Sequence, residues 1–244
     1  MISKADIKRL LKKNVNWIYG KTFSEIENKE LSRLQRYNVI SFDVFDTLIN
    51  RAVEKPSDVF ELVGRKAGMS DYKNKRICAE KMARRSNLER GIHEVTLDEI
   101  YDYFIKLYSD RLEEIPVDVA TLKELEIATE YEISRPNVGA QVLFNKIKCK
   151  RDAGDDSISK VIIVSDMYLS SDVIEKLLYN NGVYGFDRLY VSSMYRCTKK
   201  NGDLYSLILK ELGVSADSIL HIGDNFISDY LWAKKNGINA ILCK

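Results

Sequence analysis

Apolar residues follow three different patterns along the chain. In residues 1–36, apolar positions alternate with Lys, Arg and Glu at helical spacing, which predicts two short amphipathic helices. Residues 53–133 have a helical pattern throughout, without a convincing strand. After Pro136, short β-rich runs alternate with amphipathic segments, and this alternation is typical of a doubly wound parallel sheet.

The middle region is predicted to form four helices, at 57–68, 71–90, 96–109 and 116–135. Gly68 and Gly91 are suited to end the first two, because glycine readily adopts the left-handed conformation found just after a helix. Thr96 and Glu99 have the spacing of a capping box at the start of the third helix. Since four helices with short loops form a small bundle, we predict a helical domain over 53–133.

The helical domain is inserted after the first strand of a predicted core domain, which comprises 37–52 and 134–244. Core strands are predicted at 37–42, 160–164, 189–192, 219–222 and 238–242, and core helices at 138–149, 171–181, 203–212 and 228–236. Several of these strands are continuous apolar runs, as expected for strands buried on both faces. The predicted fold class is therefore α/β, a Rossmann-like parallel-sheet core with an inserted helical domain and an N-terminal helical extension over 1–36.

Composition narrows the possible function classes. With 45% hydrophobic and 30% charged residues, the sequence is typical of a globular protein. The 38 basic and 36 acidic residues give a net charge of +2, which provides no long-range attraction for nucleic acid, so we expect a small or locally recognised substrate. The four cysteines form no CxxC pair and indicate neither a zinc site nor a disulfide framework. Because no run approaches the roughly 18 apolar residues of a membrane span and no signal peptide is evident, we expect cytoplasmic residence; the oligomeric state is left open.

Polar residues suited to bind phosphate or metal stand at the ends of three predicted strands. Asp43 follows the first strand, Ser165 follows the apolar run 161–164, and Asp224 follows the strand at 219–222. Because the carboxyl ends of parallel strands meet at one edge of the sheet, we expect these side chains to lie together. Three such residues and a nearby lysine predict an active site rather than three independent loop caps.

These residues and their order resemble the four motifs of the haloacid dehalogenase (HAD) superfamily. The matching residues are Phe42-Asp43-Val44-Phe45-Asp46-Thr47-Leu48, then Ser165, then Lys199, then Gly223-Asp224 with Asp229 five positions on. The resemblance covers about 37–52 and 136–244, and the helical block occupies the place of the family's helical cap. The runs 165–169 and 221–225 look like those of a bacterial subgroup associated with surface-polysaccharide gene sets.

The resemblance implies a nucleophile and a metal site. A carboxylate such as Asp43 can attack phosphorus and form an aspartyl-phosphate, which divides one difficult displacement into two easier steps. By resemblance, Mg²⁺ is held by Asp43, the backbone carbonyl of Phe45 and the Asp224 carboxylate. Asp229 either binds the ion through water or positions the lysine. Hard oxygen ligands of this kind suit Mg²⁺.

The remaining motif residues are expected to contact the phosphoryl group. Ser165 and neighbouring backbone N–H groups would bind a phosphoryl oxygen at the start of the next helix, where the helix dipole favours anions. Lys199 would neutralise the remaining charge, and we prefer it to the adjacent Lys200 because of its distance to the aromatic residue on the following helix. Thr47 and Asp166 are further candidates for substrate binding, although Asp166 could instead cap a helix.

One position departs from the family pattern. Phosphatases of the superfamily usually carry a second aspartate two residues after the nucleophile, which protonates the leaving group and later activates water. Here that position is Phe45; Asp46 comes one place later and by simple geometry should point elsewhere, although a changed turn would make it an acid or base. Because loss of a general acid costs about 10²–10⁴-fold, and least for good leaving groups, substrates with good leaving groups are favoured.

Several other residues leave alternatives open. His93 either overhangs the site or makes local loop contacts, and Tyr168 either lines the cavity or packs in the core. His221, within a strand, is interpreted as a core histidine. Four lysines of the helical block could supply the amine that phosphonate cleavage needs, but solvated helix lysines are the favoured interpretation; they are Lys66, Lys73, Lys75 and Lys81.

The sequence thus predicts a Mg²⁺-dependent phosphohydrolase that acts on a small phosphorylated metabolite. The first alternative is a binding or scaffold domain that keeps the fold and the ion but turns over little. The second is a dehalogenase, in which the departing halide needs no proton; retention of Asp224 and Asp229 argues against it, because dehalogenation needs no magnesium carboxylate.

Overall fold

The computed structural model describes residues 20–34, 36–109, 116–154 and 158–244, with the side chains of 28–33 left aside. The first predicted N-terminal helix lies outside the described residues. The second is present as α1 (Phe23–Leu34), and its Phe23, Ile26 and Leu34 are buried in the core. Lys21, just before α1, pairs with Cys243 near the C-terminus, so this segment is held against the edge of the central sheet.

The centre of the protein is a five-stranded parallel sheet. Its strands are β1 (Val39–Phe42), β4 (Lys160–Ser165), β5 (Arg188–Val191), β6 (Ile219–Gly223) and β7 (Asn239–Leu242), in the order β5-β4-β1-β6-β7. In the register, Ile40 of β1 lies opposite Val161 on one side and Leu220 on the other. The doubly wound α/β fold predicted from the sequence is confirmed.

Alternate residues of the sheet face two separate hydrophobic layers, because side chains of a strand point to opposite faces. Ile40 and Phe42 belong to one layer, together with α6 (Val138–Asp152) and α7 (Ser171–Asn180). Val39 belongs to the other layer, together with α9 (Asp203–Leu212). This two-sided burial explains why the central strands have continuous apolar sequences.

A block of four helices lies between β1 and β4 in the chain: α2 (Val59–Lys66), α3 (Tyr72–Glu89), α4 (Leu97–Tyr108) and α5 (Val119–Ile133). The capping box at Thr96 is confirmed, since its hydroxyl accepts a hydrogen bond from the Glu99 N–H. The fourth helix begins later than predicted, because Asp118 rather than Pro116 is its N-cap and accepts from the Thr121 N–H.

Two short antiparallel strands join the helical block to the sheet, and neither was predicted from the sequence. β2 (Ile49–Arg51) and β3 (Ser134–Pro136) pair with Arg51 opposite Ser134. The fourth helix therefore stops at Ile133 instead of continuing to the residue before Pro136. Strands of three residues are too short to show a periodicity, and they form here because the two connections run side by side.

Two smaller differences lie in the C-terminal half of the sheet. Ser192, predicted as the last residue of a strand, begins a short helix, α8 (Ser192–Tyr195). The last predicted helix divides into a π-helical segment (Phe226–Leu231) and α10 (Trp232–Lys235). None of the helices in the described part of the chain combines the length and the apolar character that crossing a bilayer requires.

Hydrogen bonds between polar groups connect the helical block to the core. The Leu97 N–H donates to the Tyr168 carbonyl at 2.9 Å. The Ser192 hydroxyl donates to the buried Glu94 carboxylate at 2.7 Å. These bonds place the α3–α4 loop and the start of α4 beside the segment that follows β4 and beside Ser192, the residue that follows β5.

The interior of the helical block contains a buried ion pair. Arg76 donates to both carboxylate oxygens of Glu126, from Nε at 2.8 Å and from Nη2 at 2.7 Å, and both side chains are fully buried. The Tyr101 hydroxyl donates to the same carboxylate at 2.9 Å. Burial opposes ionisation of Arg76, but the Glu126 carboxylate raises its pKa well above the ordinary value, so Arg76 remains charged.

Removing one charge of this pair should destabilise the fold strongly. We expect Glu126→Gln to lower the free energy of unfolding by about 3 kcal/mol or more, because the buried Arg76 charge loses its fully buried carboxylate partner and keeps only the partly exposed Glu80. As a matched control, Glu89→Gln breaks an exposed pair with Arg85 and should cost less than about 1 kcal/mol. Urea unfolding of the three proteins measures both values, and equal losses would contradict this account.

Candidate active site

Three polar side chains come together at the carboxyl edge of the parallel sheet. Asp43 follows β1, Ser165 ends β4 and Asp224 follows β6, and all three are buried. Since β1 lies between β4 and β6, the three strand ends are adjacent. The expectation that these residues lie together is confirmed by the sheet order.

Lys199 connects the carboxylates of this cluster. It lies in a 3₁₀ turn, Lys199–Asn201, and its buried ammonium is 2.5 Å from Asp43 Oδ1 and 2.7 Å from Asp229 Oδ1. The ammonium also donates to the Val164 carbonyl at 3.1 Å. Lys200 is exposed, so the structure places Lys199, and not its neighbour, in the cluster.

Asp166 holds the turn that carries this lysine. Its carboxylate accepts hydrogen bonds from the backbone N–H groups of Lys199, at 2.7 Å, and Lys200, at 3.2 Å. The helix that follows is capped by Ser170 instead, which accepts from the Val173 N–H. Burial raises the pKa of Asp166 to about 6, against the opposing effect of Lys199. Asp166 therefore positions the lysine turn and is not a helix cap.

Asp229 is oriented from both of its oxygens. Oδ1 contacts Lys199 and lies 3.3 Å from His221 Nε2, while Oδ2 accepts from the Asn225 N–H at 2.9 Å. Burial lowers the pKa of His221, so the ring is neutral and can donate to Asp229 through Nε2 while Nδ1 accepts from Ser41 Oγ at 2.8 Å. His221 is thus a hydrogen-bonded core histidine, and Asp229 is held facing the lysine.

The cluster has an excess of negative charge. Carboxylate oxygens of Asp43, Asp224 and Asp229 lie within 4.8 Å of one another. The pKa of Asp43 is raised to about 8, mainly by burial and also by Asp229 and Asp224, against the opposing effect of Lys199. Although burial opposes both changes, the pKa of Lys199 is raised by Asp229 and Asp43, and the pKa of Asp229 is lowered by Lys199. If all three carboxylates are ionised, they and the one ammonium carry a formal charge of −2, which a divalent cation would neutralise.

The donor atoms fit a hard cation such as Mg²⁺, because all three are carboxylate oxygens. Both oxygens of Asp229 are held by short contacts, from Lys199 at 2.7 Å and from the Asn225 N–H at 2.9 Å, whereas Asp43 Oδ2 has, among the described residues, only the long contact from Thr47. Asp43 is therefore better placed to bind a cation directly and Asp229 to position Lys199. Thr47 is buried beside the cluster and donates to Asp43 Oδ2 at 3.4 Å. Thr47 thus orients the carboxylate of Asp43.

A cavity of about 550 Å³ opens above this cluster, between the sheet edge and the helical block. Its floor includes Asp43, Ser165, Lys199 and Asp224. Its opposite wall comes from the helical block, through Phe60, Ile77, Glu80, Lys81, Arg84 and Glu130. A small molecule bound in this cavity would contact the carboxylate cluster on one side and the helical block on the other.

The two residues around the expected general-acid position both line this cavity. The Phe45 ring is half-buried and lies under the guanidinium of Arg51, whose central carbon is 3.7 Å from the ring centroid. Asp46 is exposed, has a φ of 58° and also contributes to the cavity wall. Asp tolerates this left-handed conformation better than most residues. The role of Asp46 as acid or base stays a prediction.

Arg51 and Glu130 are cavity residues that the sequence interpretation missed. Arg51 lies in β2 and Glu130 near the end of α5, so they come together only when β2 and β3 pair. The sequence showed only an arginine eight residues after Asp43, and this spacing does not distinguish a cavity residue from an ordinary surface arginine.

Tyr168 and His93, whose roles were left open, differ in position. Tyr168 is buried, lines the cavity and has its ring 4.9 Å from the Arg76 guanidinium, so it both packs in the core and forms part of the wall. His93 is exposed, and its Nδ1 lies 2.6 Å from Asn201 Nδ2 in the turn that carries Lys199, 108 residues away in the chain. Its contact is therefore not local to its own loop, and it does not line the cavity above Asp43.

The four lysines of the helical block also separate into two groups. Three of them pair with acidic residues of the same block: Lys66 with Glu132, Lys73 with Asp58, and Lys75 with Asp71. Lys81 differs, because it lies on the cavity wall. The interpretation as helix-surface lysines therefore holds for the first three.

No family model and no curated protein matches the sequence. Solved structures do resemble the fold. The HAD-hydrolase YfnB from Bacillus subtilis, bound to magnesium, is 20% identical with a TM-score of 0.56, over 84% of this chain and 87% of that one. The L-2-haloacid dehalogenase from Xanthobacter autotrophicus with chloropropionic acid covalently bound is 16% identical with a TM-score of 0.55, over 84% and 76%.

A third resembling structure is the HAD family enzyme BT-2542 from Bacteroides thetaiotaomicron, 16% identical with a TM-score of 0.57, over 85% of this chain and 94% of that one. At these identities the likeness shows the fold. The chain therefore has the α/β fold of the HAD-family hydrolases, with a helical region between the first and second core strands along the chain.

If Asp43 and Asp224 share a divalent cation, Mg²⁺ should stabilise the protein. At a Mg²⁺ concentration 100-fold above the dissociation constant, we expect the melting temperature to rise by about 5–10 °C. Asp224→Ala should remove this rise, whatever its effect on the melting temperature without Mg²⁺. Thermal unfolding with and without Mg²⁺ measures the increment.

Asp217→Ala is the matched control, because Asp217 is exposed and distant from the cluster in the 3₁₀ turn Ala216–Ser218. This variant should keep the full increment. A melting temperature that does not respond to millimolar Mg²⁺ in the unmodified protein would argue against the metal site.

Proposed function

We propose that this protein is a Mg²⁺-dependent phosphohydrolase of the HAD superfamily that acts on a small phosphorylated metabolite, with Asp43 as nucleophile. The observation that carries the proposal is the Lys199 ammonium, which bridges Asp43 and Asp229 beside Asp224 at the floor of the cavity. A cation fixed between carboxylates can position a nucleophile and also neutralise the anion that it attacks.

In the first step, a carboxylate oxygen of Asp43 attacks phosphorus and forms a new O–P bond. The bond from phosphorus to the leaving oxygen breaks, and its electron pair stays on that oxygen. Lys199 neutralises charge on the phosphoryl group, and Ser165 at the end of β4 donates a hydrogen bond to it. Mg²⁺ held by Asp43 and Asp224 would supply further positive charge against the repulsion between the two anions.

In the second step, water attacks the phosphorus of the aspartyl-phosphate. The O–P bond to Asp43 breaks, phosphate is released and the Asp43 carboxylate is restored. The water proton leaves to solvent or to an acceptor in the cavity, where Asp46 is the carboxylate that the fold supplies beside Phe45. Closure of the helical block over the cavity would limit competing reactions of the intermediate with solvent.

The domain organisation belongs to the same proposal. Residues 37–52 and 134–244 form the catalytic core, 53–133 form a cap that closes over the substrate, and 1–36 form an extension. The paired strands β2 and β3 would be the hinge between core and cap. The likeness of 165–169 and 221–225 to a subgroup associated with surface-polysaccharide gene sets, and residence in the cytoplasm, are also proposed on the sequence features alone.

A dehalogenase is the second candidate, and Phe45 is the observation that favours it, because halide departs without a proton. A dehalogenase from Xanthobacter autotrophicus also resembles this fold. The excess of carboxylates around Lys199 argues for the phosphohydrolase. A divalent cation would neutralise that excess, and the bound cation would then attract a phosphate. A binding or scaffold domain would keep the metal response and show no turnover.

Asp43→Asn should reduce phosphate release by at least about 10³-fold, because the amide is isosteric but cannot attack phosphorus. The measurement is phosphate release over a panel of phosphorylated metabolites, with Mg²⁺ and with a chelator. Asp217→Asn, on the exposed 3₁₀ turn, is the control and should retain full turnover. Halide release from 2-haloacids would instead identify a dehalogenase, and no turnover of either class would favour the binding domain.

The leaving group should decide the rate. Because no carboxylate occupies the position of Phe45, we expect acyl and aryl phosphates to exceed alkyl and sugar phosphates in kcat/KM by about 10²-fold or more. If alkyl phosphates react as fast as acyl phosphates and Asp46→Asn abolishes that activity, then Asp46 is the general acid. The expectation that the site lacks a general acid, because Phe45 stands at the usual position, would then be wrong.

A further inference from the structure

Arg51 has the position and the bonding of a residue that contacts a ligand. Its side chain is 9% exposed and lines the same cavity as Asp43 and Lys199. A buried guanidinium needs partners for its donors, because an unpaired buried donor costs free energy. Within the described residues, hydrogen-bond partners are present for two of the three guanidinium nitrogens, Nε and Nη2.

Glu130 and Phe45 fix the plane of the guanidinium. Arg51 donates to the two carboxylate oxygens of Glu130, from Nε at 2.8 Å and from Nη2 at 3.1 Å. The guanidinium carbon stands 3.7 Å from the centroid of the Phe45 ring, a cation–π contact. Held on one edge and one face, the group has little freedom to rotate.

The third nitrogen of the guanidinium, Nη1, makes no hydrogen bond within the described part of the chain. Its two N–H donors lie on the side of the guanidinium away from the edge that Glu130 occupies. Because arginine stays protonated, these donors are available for an anionic oxygen at any working pH. The ligand that fits is an oxygen that carries negative charge, presented next to Phe45.

We infer that Arg51 hydrogen-bonds through Nη1 to the leaving-group oxygen and stabilises the negative charge that develops there, in place of a general acid at Phe45. The inference rests on the proposed phosphohydrolase function. As the O–P bond to Asp43 forms, the bond to the leaving oxygen breaks and its electron pair remains on that oxygen. Arg51 keeps its own protons, and the released anion takes a proton from water after departure.

This role accounts for the aromatic residue at the family's acid position. A carboxylate at position 45 would pair with Arg51 and compete with the leaving oxygen for its donors, whereas the Phe45 ring supports the cation without using them. Phosphates whose leaving oxygen is stabilised by one fixed cation, such as aryl and acyl phosphates, are therefore the substrate class assigned to this site.

The experiment measures kcat/KM for a series of aryl phosphates, from strongly electron-poor phenols to phenyl phosphate, with the full chain and Mg²⁺. We expect Arg51→Met to lower phenyl phosphate hydrolysis by about 10²-fold or more and the electron-poor substrates by about tenfold or less, because poor leaving groups depend most on the lost donor. Arg51→Lys, which keeps the charge, should recover part of the difference and serves as the test if Arg51→Met does not fold.

Lys66→Met is the matched control. Lys66 donates to Thr129 and pairs with Glu132 on α5, the helix that Arg51 also binds, but it is not a cavity residue. Loss of the Lys66 ammonium should change kcat/KM by the same factor for every substrate of the series. An equal loss across the series for Arg51→Met and Arg51→Lys would give Arg51 a purely structural role and overturn the inference. If the unmodified protein hydrolyses none of the series, the proposed function itself has failed.

Discussion

The ion bridge from Asp43 through Lys199 to Asp229 is the interaction on which the site depends. Two carboxylates and an ammonium are removed from water at the sheet edge, and each would be costly to bury alone. The third carboxylate, Asp224, adds a charge that the lysine does not balance. The unbalanced negative charge would favour a divalent cation at this edge of the sheet, and under the proposed function that cation and Lys199 would together offset the charge of a phosphoryl group.

The surrounding structure can be understood as support for that bridge. Asp166 binds the backbone of the lysine turn, His221 and Asn225 orient Asp229, and Thr47 contacts Asp43. Each support comes from a different part of the chain, so the geometry of the bridge depends on the parallel sheet being complete. On the opposite side of the cavity, a buried charge is likewise held by an opposite charge. Arg51 donates from Nε and Nη2 to Glu130, and its Nη1 donors remain for a ligand.

Much of the core was predictable because its signals are local. Continuous apolar runs identify strands buried on both faces, and polar residues at the ends of β1, β4 and β6 identify the candidate site before the strand order is known. The order itself needed the structure, as did the β2–β3 pair, whose three-residue strands have no periodicity. The segment after Asp224, predicted as one helix, is divided into a π-helical and an α-helical part.

The sequence by itself therefore determined the α/β fold class, the four-helix block and the candidates at the strand ends, since these follow from periodicity and from the chemistry of single residues. Tertiary structure decided which lysine enters the site, what Asp166 binds and where Arg51 lies. Lys199 and Lys200 have the same chemistry, and only the turn held by Asp166 buries one and exposes the other. Arg51 and Glu130 are 79 residues apart in the chain, and their contact exists only because two strands pair across the base of the helical block.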